Sequence, residues 1–372
     1  MVELASLSRT TIVPKQWFEH MYDPSHFAII RYESTSIKFL QTPCYPKPQH
    51  IVSFNMLEPK QGSTNVLEVK KDPLLEFKCM KSSEKSLGAI VRGSCNGLVY
   101  LTQGHVSDTI SLVVINPLRK ESYELPSMNL DLHSPRLESC GLGFDASTNT
   151  FKMVCVLRKK QVDLCEKVED SLCTMVHVLG TDTWREIPQV PPCPIVDKCI
   201  YANGCLHWFA NDYENRSKSK ATNEGRKVVY FDVKNEEFGS INPPKKIGGG
   251  WIGDTQLVDL NGEVGYICNY IINNGIDVSV LKQKEWTRLF RFDQGPCYLG
   301  ITKILGRLNE DEYILVKTTC GGDRLIVLNL KNGLVLYDVN VVGHEDTYKE
   351  YVYMFSAASD RDTKQRACSI NS

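Results

Sequence analysis

A repeated strand pattern constrains the fold of this chain more than any other feature. An apolar run, a polar turn and an aromatic residue followed three positions later by an aliphatic one occur at 175–187, 228–241 and 278–289, with weaker copies at 113–125 and 325–339. The aromatic positions of the three strong copies are Trp184, Phe238 and Trp286. Short alternating runs rich in Val, Ile, Tyr and Phe are typical of strands, so the chain is predicted to be all-β.

A tight Asn-Gly turn precedes three of the copies, and the other two units use other turns. Asn96-Gly97, Asn203-Gly204 and Asn261-Gly262 each separate two short apolar runs. Asn-Gly tolerates positive φ at both positions, which a type I′ hairpin requires. Each unit therefore holds two hairpins, or four strands. Five such units are predicted to begin near Gly93, Gly141, Cys199, Leu257 and Ile301.

Four-stranded units of about 40–55 residues in series are typical of β-propeller blades, because stacked neighbours bury the apolar faces that one unit cannot bury alone. Further strand-like runs lie at both ends, near 27–32, 50–57 and 350–357. They are predicted to form a sixth blade that closes the ring. The predicted fold is a β-propeller-like array of about six blades; the alternative is a two-sheet sandwich, which needs no period.

Composition narrows the classes of partner. The chain has 43 Lys and Arg against 44 Asp and Glu, a net charge of −1, which argues against bulk electrostatic binding to nucleic acid or to an anionic membrane. It shows neither an apolar run long enough to span a membrane nor the order of a signal peptide. The 14 cysteines are therefore expected to be free thiols in a cytoplasmic or nuclear protein.

The known motifs of catalysis are missing. The chain has no G-x-S-x-G, no G-x-x-x-x-G-K-[ST] and no H-E-x-x-H. Cys193, Cys199 and Cys205 are spaced six apart before His207, without the close cysteine pair of a zinc site. We therefore expect no enzyme, no metal and no cofactor. A propeller hydrolase with carboxylates converging at the axial channel stays open as an alternative.

Several blocks carry a family resemblance. Residues 6–9 (SLSR), 13–18 (VPKQWF) and 22–27 (YDPSHF) resemble the second half of a plant F-box. Residues 93–98 (GSCNGL), 115–117 (INP), 141–145 (GLGFD), 183–185 (TWR) and 203–208 (NGCLHW) resemble the kelch-like F-box-associated domain of the same family. The resemblance implies an F-box remnant at 1–30, a propeller-like domain at 31–372, and a substrate-recognition subunit of an SCF-type (cullin) ubiquitin ligase.

The F-box resemblance starts late in the motif. The family's opening helix, L-P-x-[DE]-x-x-x-x-I-L-x-R-L-P, has no counterpart before Ser6. The remnant is expected to be helical, with Leu7, Val13, Trp17 and Phe18 as candidate contacts to the Skp-type adaptor. Weakened adaptor binding is expected, and a degenerate family member that no longer binds the adaptor is the alternative. In that alternative Trp17 packs the remnant helix against the first strands.

The remaining tryptophans divide into two groups. Trp184 and Trp286 occupy the repeat's aromatic position and are predicted to be substantially buried in core or inter-blade packing; Trp208 is expected to behave similarly. Trp251 lies in a Gly-rich segment outside the strand pattern and is a candidate anchor for a target protein. Three polar or charged segments, 158–172, 211–227 and 243–253, are predicted to be surface loops.

Overall fold

A computed structural model describes residues 27–33, 51–59, 67–69, 75–78, 89–104, 110–117, 119–128, 136–162, 168–211, 225–245, 252–260, 262–270, 275–293, 301–308, 313–318, 324–329, 335–340 and 351–354. All regular elements within these ranges are β-strands. They form six antiparallel sheets, which we number as blades 1–6. The all-β prediction is therefore confirmed.

The first three blades are built from the following strands. Blade 1 contains β1 (Phe27–Glu33), β2 (Ile51–Pro59), β3 (Leu67–Val69), β4 (Leu75–Lys78) and β25 (Tyr351–Met354). Blade 2 contains β5 (Ala89–Cys95), β6 (Leu98–Gly104), β7 (Ile110–Asn116) and β8 (Glu121–Glu124). Blade 3 contains β9 (Arg136–Asp145), β10 (Thr150–Val162), β11 (Val168–Val178) and β12 (Arg185–Ile187).

The last three blades follow the same plan. Blade 4 contains β13 (Ile195–Ala202), β14 (Cys205–Ala210), β15 (Val228–Asp232) and β16 (Glu237–Ile241). Blade 5 contains β17 (Ile252–Asp259), β18 (Val264–Tyr270), β19 (Gly275–Lys282) and β20 (Glu285–Asp293). Blade 6 contains β21 (Ile301–Leu308), β22 (Tyr313–Thr318), β23 (Arg324–Asn329) and β24 (Val335–Asn340).

The blades are arranged radially. In blades 2–6 the strands pair in chain order, and the first strand of each blade contacts the first strand of the next, from β5 through β9, β13 and β17 to β21. The chain of contacts continues from β21 to β25, which pairs with β1 and so takes the innermost place in blade 1. The predicted propeller and its blade built from both ends of the chain are confirmed, and the two-sheet sandwich is wrong.

The boundary predicted at residue 30 falls inside a strand. Strand β1 begins at Phe27 and pairs with β2 through Glu33. Residues 1–26, which hold most of the predicted F-box remnant, lie outside the described residues. The helical character of that segment therefore stays a prediction.

The first hairpin of a blade turns as its sequence predicts. Asn96 and Gly97 have φ of 44° and 76°, and Asn203 and Gly204 have φ of 53° and 73°. Positive φ at both central residues is the type I′ conformation, whose twist matches that of the flanking strands. Gly262 also has a positive φ, 81°; its neighbour Asn261 is outside the described residues.

Apolar side chains fill the spaces between successive blades. Separate buried clusters join blades 2 and 3, blades 3 and 4, blades 4 and 5, and blades 5 and 6. Two glycines allow blade 3 to approach blade 4 closely. A Cβ on Gly141 would lie 2.6 Å from Sγ of Cys199, and one on Gly143 would lie 2.5 Å from a methyl group of Val233. Gly141 and Gly143 therefore permit close packing between blades 3 and 4.

The repeat tryptophans join neighbouring blades at their outer strands. Trp184 packs on the cluster between blades 2 and 3, and its Nε1 donates a 2.7 Å hydrogen bond to the Pro126 carbonyl of blade 2. Trp286 packs between blades 4 and 5 in the same way, with Nε1 2.7 Å from the Asn242 carbonyl. Both rings are partly buried. Inter-blade packing is thus confirmed, whereas the substantial burial that we predicted holds only for Trp208.

Candidate interaction surface

The two ends of the propeller differ in the length of their connections. Each of blades 2–6 has four antiparallel strands, so the turns within its two hairpins lie at one end and its other connections at the opposite end. We call these the tight-turn end and the long-connection end. All seven described non-glycine residues with positive φ lie in turns at the tight-turn end: Asn96, Lys120, Asn149, Asn203, Glu236, Gln283 and Lys284.

The long-connection end carries the longest connections between the strands. It carries the connections 104–110, 124–136, 162–168, 187–195, 210–228, 241–252, 270–275 and 293–301. Long connections on a rigid scaffold are where binding residues concentrate, because loop sequence can change without disturbing the blades. This end is therefore the candidate interaction surface.

The candidate site residues can be placed only in part. Trp251 lies in the connection 241–252, at the long-connection end, but it is outside the described residues. Leu7, Val13, Trp17 and Phe18 also lie outside the described residues. Their proposed contacts to a target and to an adaptor remain predictions.

One predicted loop at this end is a pair of strands. Strand β10 continues to Val162 and β11 resumes at Val168, with Arg158 opposite Leu172 and Lys160 opposite Asp170. The prediction of a surface loop at 158–172 is wrong for this reason. The register of β9 with β10 ends at Arg158, so the hairpin beyond it is a two-stranded ribbon. A ribbon covered by no third strand needs no apolar face, and its charges hide the strand pattern.

Ion pairs hold the base of the ribbon. The Arg158 Nε lies 2.8 Å from Oε1 of Glu138 on β9, and Lys159 Nζ lies 2.9 Å from Oε1 of Glu186 on β12. The base of the ribbon is thus tied to both strands that flank it in the sheet. Such a ribbon can carry a recognition surface away from the body of the propeller.

The described histidines are poor acid–base catalysts. His207 is buried on β14, and burial lowers its pKa to about 4. Burial also lowers the pKa of His177, whose Nδ1 lies 3.1 Å from the Thr183 carbonyl oxygen. Both imidazoles are therefore neutral at neutral pH, and both lie inside blades. His207 is therefore a packed strand histidine.

The described cysteines are free and mostly buried. Burial raises the pKa of Cys95, Cys155 and Cys199 well above the ordinary value, and that of Cys205 to about 11. Thiols in this state are weak nucleophiles. Cys140 differs, because a hydrogen bond with Cys155, its partner in register on β10, lowers its pKa.

The carboxylates of the innermost strands are engaged locally. Glu138 pairs with Arg158, and Asp145 lies 3.0 Å from Lys152 Nζ. Asp254 and Asp259 accept backbone N–H groups of their own strand or turn. A glycosidase needs two carboxyl groups facing one substrate across a defined gap. Each of these four carboxylates has a local partner in its own blade.

The described residues also lack two other features, a metal-binding cluster and a membrane-spanning helix. Within the described ranges, no group of three or more His, Cys, Asp and Glu side chains is arranged to hold a metal ion. Nor does that part of the chain contain a helix of the length and apolar character needed to cross a bilayer.

Comparison with known proteins identifies a family. The model of the F-box associated β-propeller domain matches residues 44–337, most of the chain and blades 1–6 except for β1 and the last strands. In Arabidopsis thaliana, F-box protein At4g22390 is 24% identical over 222 residues, which cover 54% of this chain and 52% of that protein. F-box protein At3g07870 of the same plant is 27% identical over 211 residues, covering 52% and 47%.

The extent of these matches sets their meaning. The chain spans about half the length of the curated relatives it matches. Among solved structures, an oligogalacturonate lyase in complex with manganese aligns with 88% of this chain and 81% of its own, at 10% identity and a TM-score of 0.43. A likeness at that level carries no argument about activity or metal binding. The family match, together with the six blades, is what assigns the chain.

Proposed function

The chain belongs to the F-box associated β-propeller family of plant F-box proteins, and on that premise we propose that it recognises target proteins for an SCF-type (cullin) ubiquitin ligase. It acts by binding and catalyses no reaction of its own. The observation that carries the proposal is the match of the propeller family to residues 44–337. A cytoplasmic or nuclear location is part of the proposal, because ubiquitin ligases of this class work there.

Targets bind at the long-connection end. The tight-turn end presents short turns whose backbone is fixed by left-handed residues, and these offer little freedom for recognition. The opposite end carries connections of up to about twenty residues, the β10–β11 ribbon and Trp251. A large aromatic residue is a common binding anchor, and replacing an anchor by alanine costs about 2 kcal/mol or more, roughly thirtyfold in affinity.

The adaptor binds the F-box remnant, residues 1–30. Leu7, Val13, Trp17 and Phe18 supply the apolar contacts to a Skp-type adaptor, as the F-box resemblance implies. The propeller then presents its target to the rest of the complex. In the alternative of a degenerate family member, the target site persists while these four residues no longer bind the adaptor.

Affinity purification tests the proposal. The tagged chain is expressed in plant cells with the proteasome inhibited, and co-purifying proteins are identified by mass spectrometry. We expect a Skp-type adaptor, a cullin and one or more targets. Trp251→Ala should lower target recovery, whereas Thr148→Ala, an exposed position in a turn at the tight-turn end, should leave it unchanged.

The outcomes separate the candidate functions. Targets without adaptor or cullin would favour the degenerate member. Loss of adaptor, with targets retained, in a variant carrying Trp17→Ala and Phe18→Ala would support the proposed adaptor contact. Adaptor and cullin without any target that depends on the long-connection end would contradict the proposed target surface. The hydrolase alternative has no supporting observation, since the described inner carboxylates are engaged locally.

A further inference from the structure

In blade 3, the outer strand covers only a short part of its neighbour. Strand β12 pairs with Thr174, Met175 and Val176 of β11, whereas β11 itself begins at Val168. On its other side, β11 pairs with β10 along its whole length. In the described ladders, the outer edge of β11 over residues 168–173 therefore has no strand partner. We call this segment the open edge.

The sequence itself prevents the chain from filling the open edge. Strand β12 ends at Ile187, and Pro188 follows it. Proline has no N–H to donate to a ladder, and it favours extended or turn conformations at its own position and the one before. Three more prolines, at 191, 192 and 194, precede the first strand of blade 4. The chain thus leaves the track of β12 at the point where the open edge starts.

The open edge itself is acidic, although β10 beside it carries the basic residues 158–160. It carries Glu169 and Asp170 and no basic residue. In the β10–β11 register Lys160 lies opposite Asp170, but Gln161 lies opposite Glu169. The Lys159 ammonium is engaged by Glu186 instead. Close by in sequence to the end of β12, Val190 is 43% exposed, one of two exposed large apolar side chains in the described part of the chain.

We propose that the open edge binds an extended, basic segment of a target protein as an added antiparallel strand that continues the track of β12. Main-chain hydrogen bonds to the ladder groups of β11 give the affinity, and the alternate side chains give the specificity. Glu169 and Asp170 are consecutive on β11 and therefore lie on opposite faces of the sheet, so two adjacent basic residues are needed to complement them. An apolar residue suits partly buried Leu172. This inference rests on the proposed function, since it names the chemistry of the target.

A second copy of the chain is a poorer occupant of the open edge. Antiparallel pairing of two identical edges would bring Glu169 and Asp170 close to the same residues of the other copy. Charged residues at an edge are a common means by which proteins prevent such self-association. The same charges attract a strand of opposite sign. The acidic residues therefore favour a basic target segment over a second copy.

A peptide titration tests the inference. The probe is a fluorescent, end-capped hexapeptide of Lys and Val with two adjacent lysines at its centre, titrated against the whole chain and followed by anisotropy. Amide hydrogen exchange with and without the peptide locates the binding. We expect saturable binding below about 1 mM and exchange that is slowed about tenfold at amides within 168–173. A peptide with two valines replaced by proline should not bind, because it cannot complete the ladder.

Charge variants sharpen the test. The double variant Glu169→Lys with Asp170→Lys should weaken binding of the Lys-Val peptide at least tenfold and should gain binding of a matched Glu-Val peptide. Glu237→Lys is the matched control, since Glu237 is an exposed acidic residue on the outer strand of blade 4. It should change the affinity less than about twofold.

Three results would overturn the inference. They are the absence of binding up to about 1 mM, protection confined to amides outside 168–173, and an affinity equally reduced by Glu237→Lys and by the double variant. The peptide experiment needs no adaptor and no ubiquitin. A chain that binds the peptide at the open edge but recruits no ligase would therefore contradict the proposed function and leave this inference standing. A chain that recruits the ligase but does not bind the peptide would contradict this inference and leave the proposed function standing.

Discussion

Blade 4 meets its two neighbours with different chemistry. On the side of blade 3, the ammonium of Lys152 enters the interface and contacts three oxygen atoms: Asp145 Oδ2 at 3.0 Å, Glu236 Oε1 at 3.0 Å and the Val233 carbonyl at 2.9 Å. Arg185 also pairs with Glu236. On the side of blade 5, the polar groups include the indole of Trp286, the neutral imidazole of buried His207 and the guanidinium of Arg226, which lies 4.3 Å from the centre of the Phe209 ring.

The difference shows that residues at one repeat position can join neighbouring blades through two kinds of contact. Trp184 and Trp286 donate their indole N–H to a carbonyl of the preceding blade, whereas Phe238, the equivalent residue in blade 4, has no donor. Phe238 packs on Phe231 and Trp208 instead, and the Lys152 network joins that same pair of blades. We infer that ionic contacts supply at this interface what an indole hydrogen bond supplies at the other two.

The largest effect is expected for Lys152→Met. Its side chain is 9% exposed and that of Asp145 2%, so removing the cation leaves a buried carboxylate without its partner. Breaking one member of a buried ion pair costs about 3–5 kcal/mol of unfolding free energy. Denaturant unfolding measures the loss, and Lys234→Met, at an exposed position of the same turn as Glu236, should be nearly neutral. A cost below about 1 kcal/mol would mean that the network does not hold blades 3 and 4 together.

The next effect separates the two interfaces by pH. The pKa of His207 is lowered by burial to about 4, below the ordinary value of about 6.5. Between these values the unfolded chain binds a proton that the folded chain does not, so stability falls as pH drops from about 6.5 to 4. The loss at the blade 5 side is up to about 3 kcal/mol. In His207→Phe, unfolding free energies at several pH values should lose the part of this slope that His207 contributes, while the part from His177, whose pKa burial also lowers, remains.

The blade 3 side responds to acid in a lower range. Burial raises the pKa of Asp145 and Glu236, but hydrogen bonds from Ser147 and Lys152 to Asp145, and from Arg185 and Lys152 to Glu236, outweigh it and lower both. Their stabilisation is present above the unfolded pKa of about 4 and is lost as pH falls below it. Lys152→Met should therefore flatten the pH dependence below about pH 4 and leave the His207 range unchanged. Flattening in the higher range would reverse the assignment.

Much of the fold was predictable because its signals are local. The Asn-Gly pairs predict a type I′ turn from two adjacent residues, and the repeat aromatics predict where the outer strand of a blade lies. The Lys152 network was not predictable, because alternation shows which face of β10 carries Lys152 but not that Glu236, 84 residues later, meets it. A lysine inside the apolar run of β10 was the one available signal. The β10–β11 ribbon was missed since a hairpin solvated on both faces needs no apolar alternation.

A smaller effect is expected at the indole hydrogen bonds. Trp286→Phe keeps most of the packing between blades 4 and 5 but removes the donor to the Asn242 carbonyl. The net cost of one such hydrogen bond is about 1 kcal/mol. Trp184→Phe should cost about the same through the Pro126 carbonyl, because the two residues occupy the same repeat position. Unequal losses in thermal or denaturant unfolding would show that the interfaces between blades 2 and 3 and blades 4 and 5 are not equivalent.

The smallest effect is expected at Lys159, which lies on the same strand as Lys152. Its partner Glu186 has a side chain that is 52% exposed, so water screens the pair and solvates either charge when the other is removed. Lys159→Met should therefore cost no more than about 0.5 kcal/mol, as exposed ion pairs do, and the cost should vanish at high salt. Lys152→Met should keep most of its cost at high salt, because its partners are buried. The two lysines thus compare a buried network of three oxygen contacts with a partly exposed ion pair on the same strand. Equal salt sensitivity of their variants would contradict the view that the blade 3–blade 4 network is a buried structural contact.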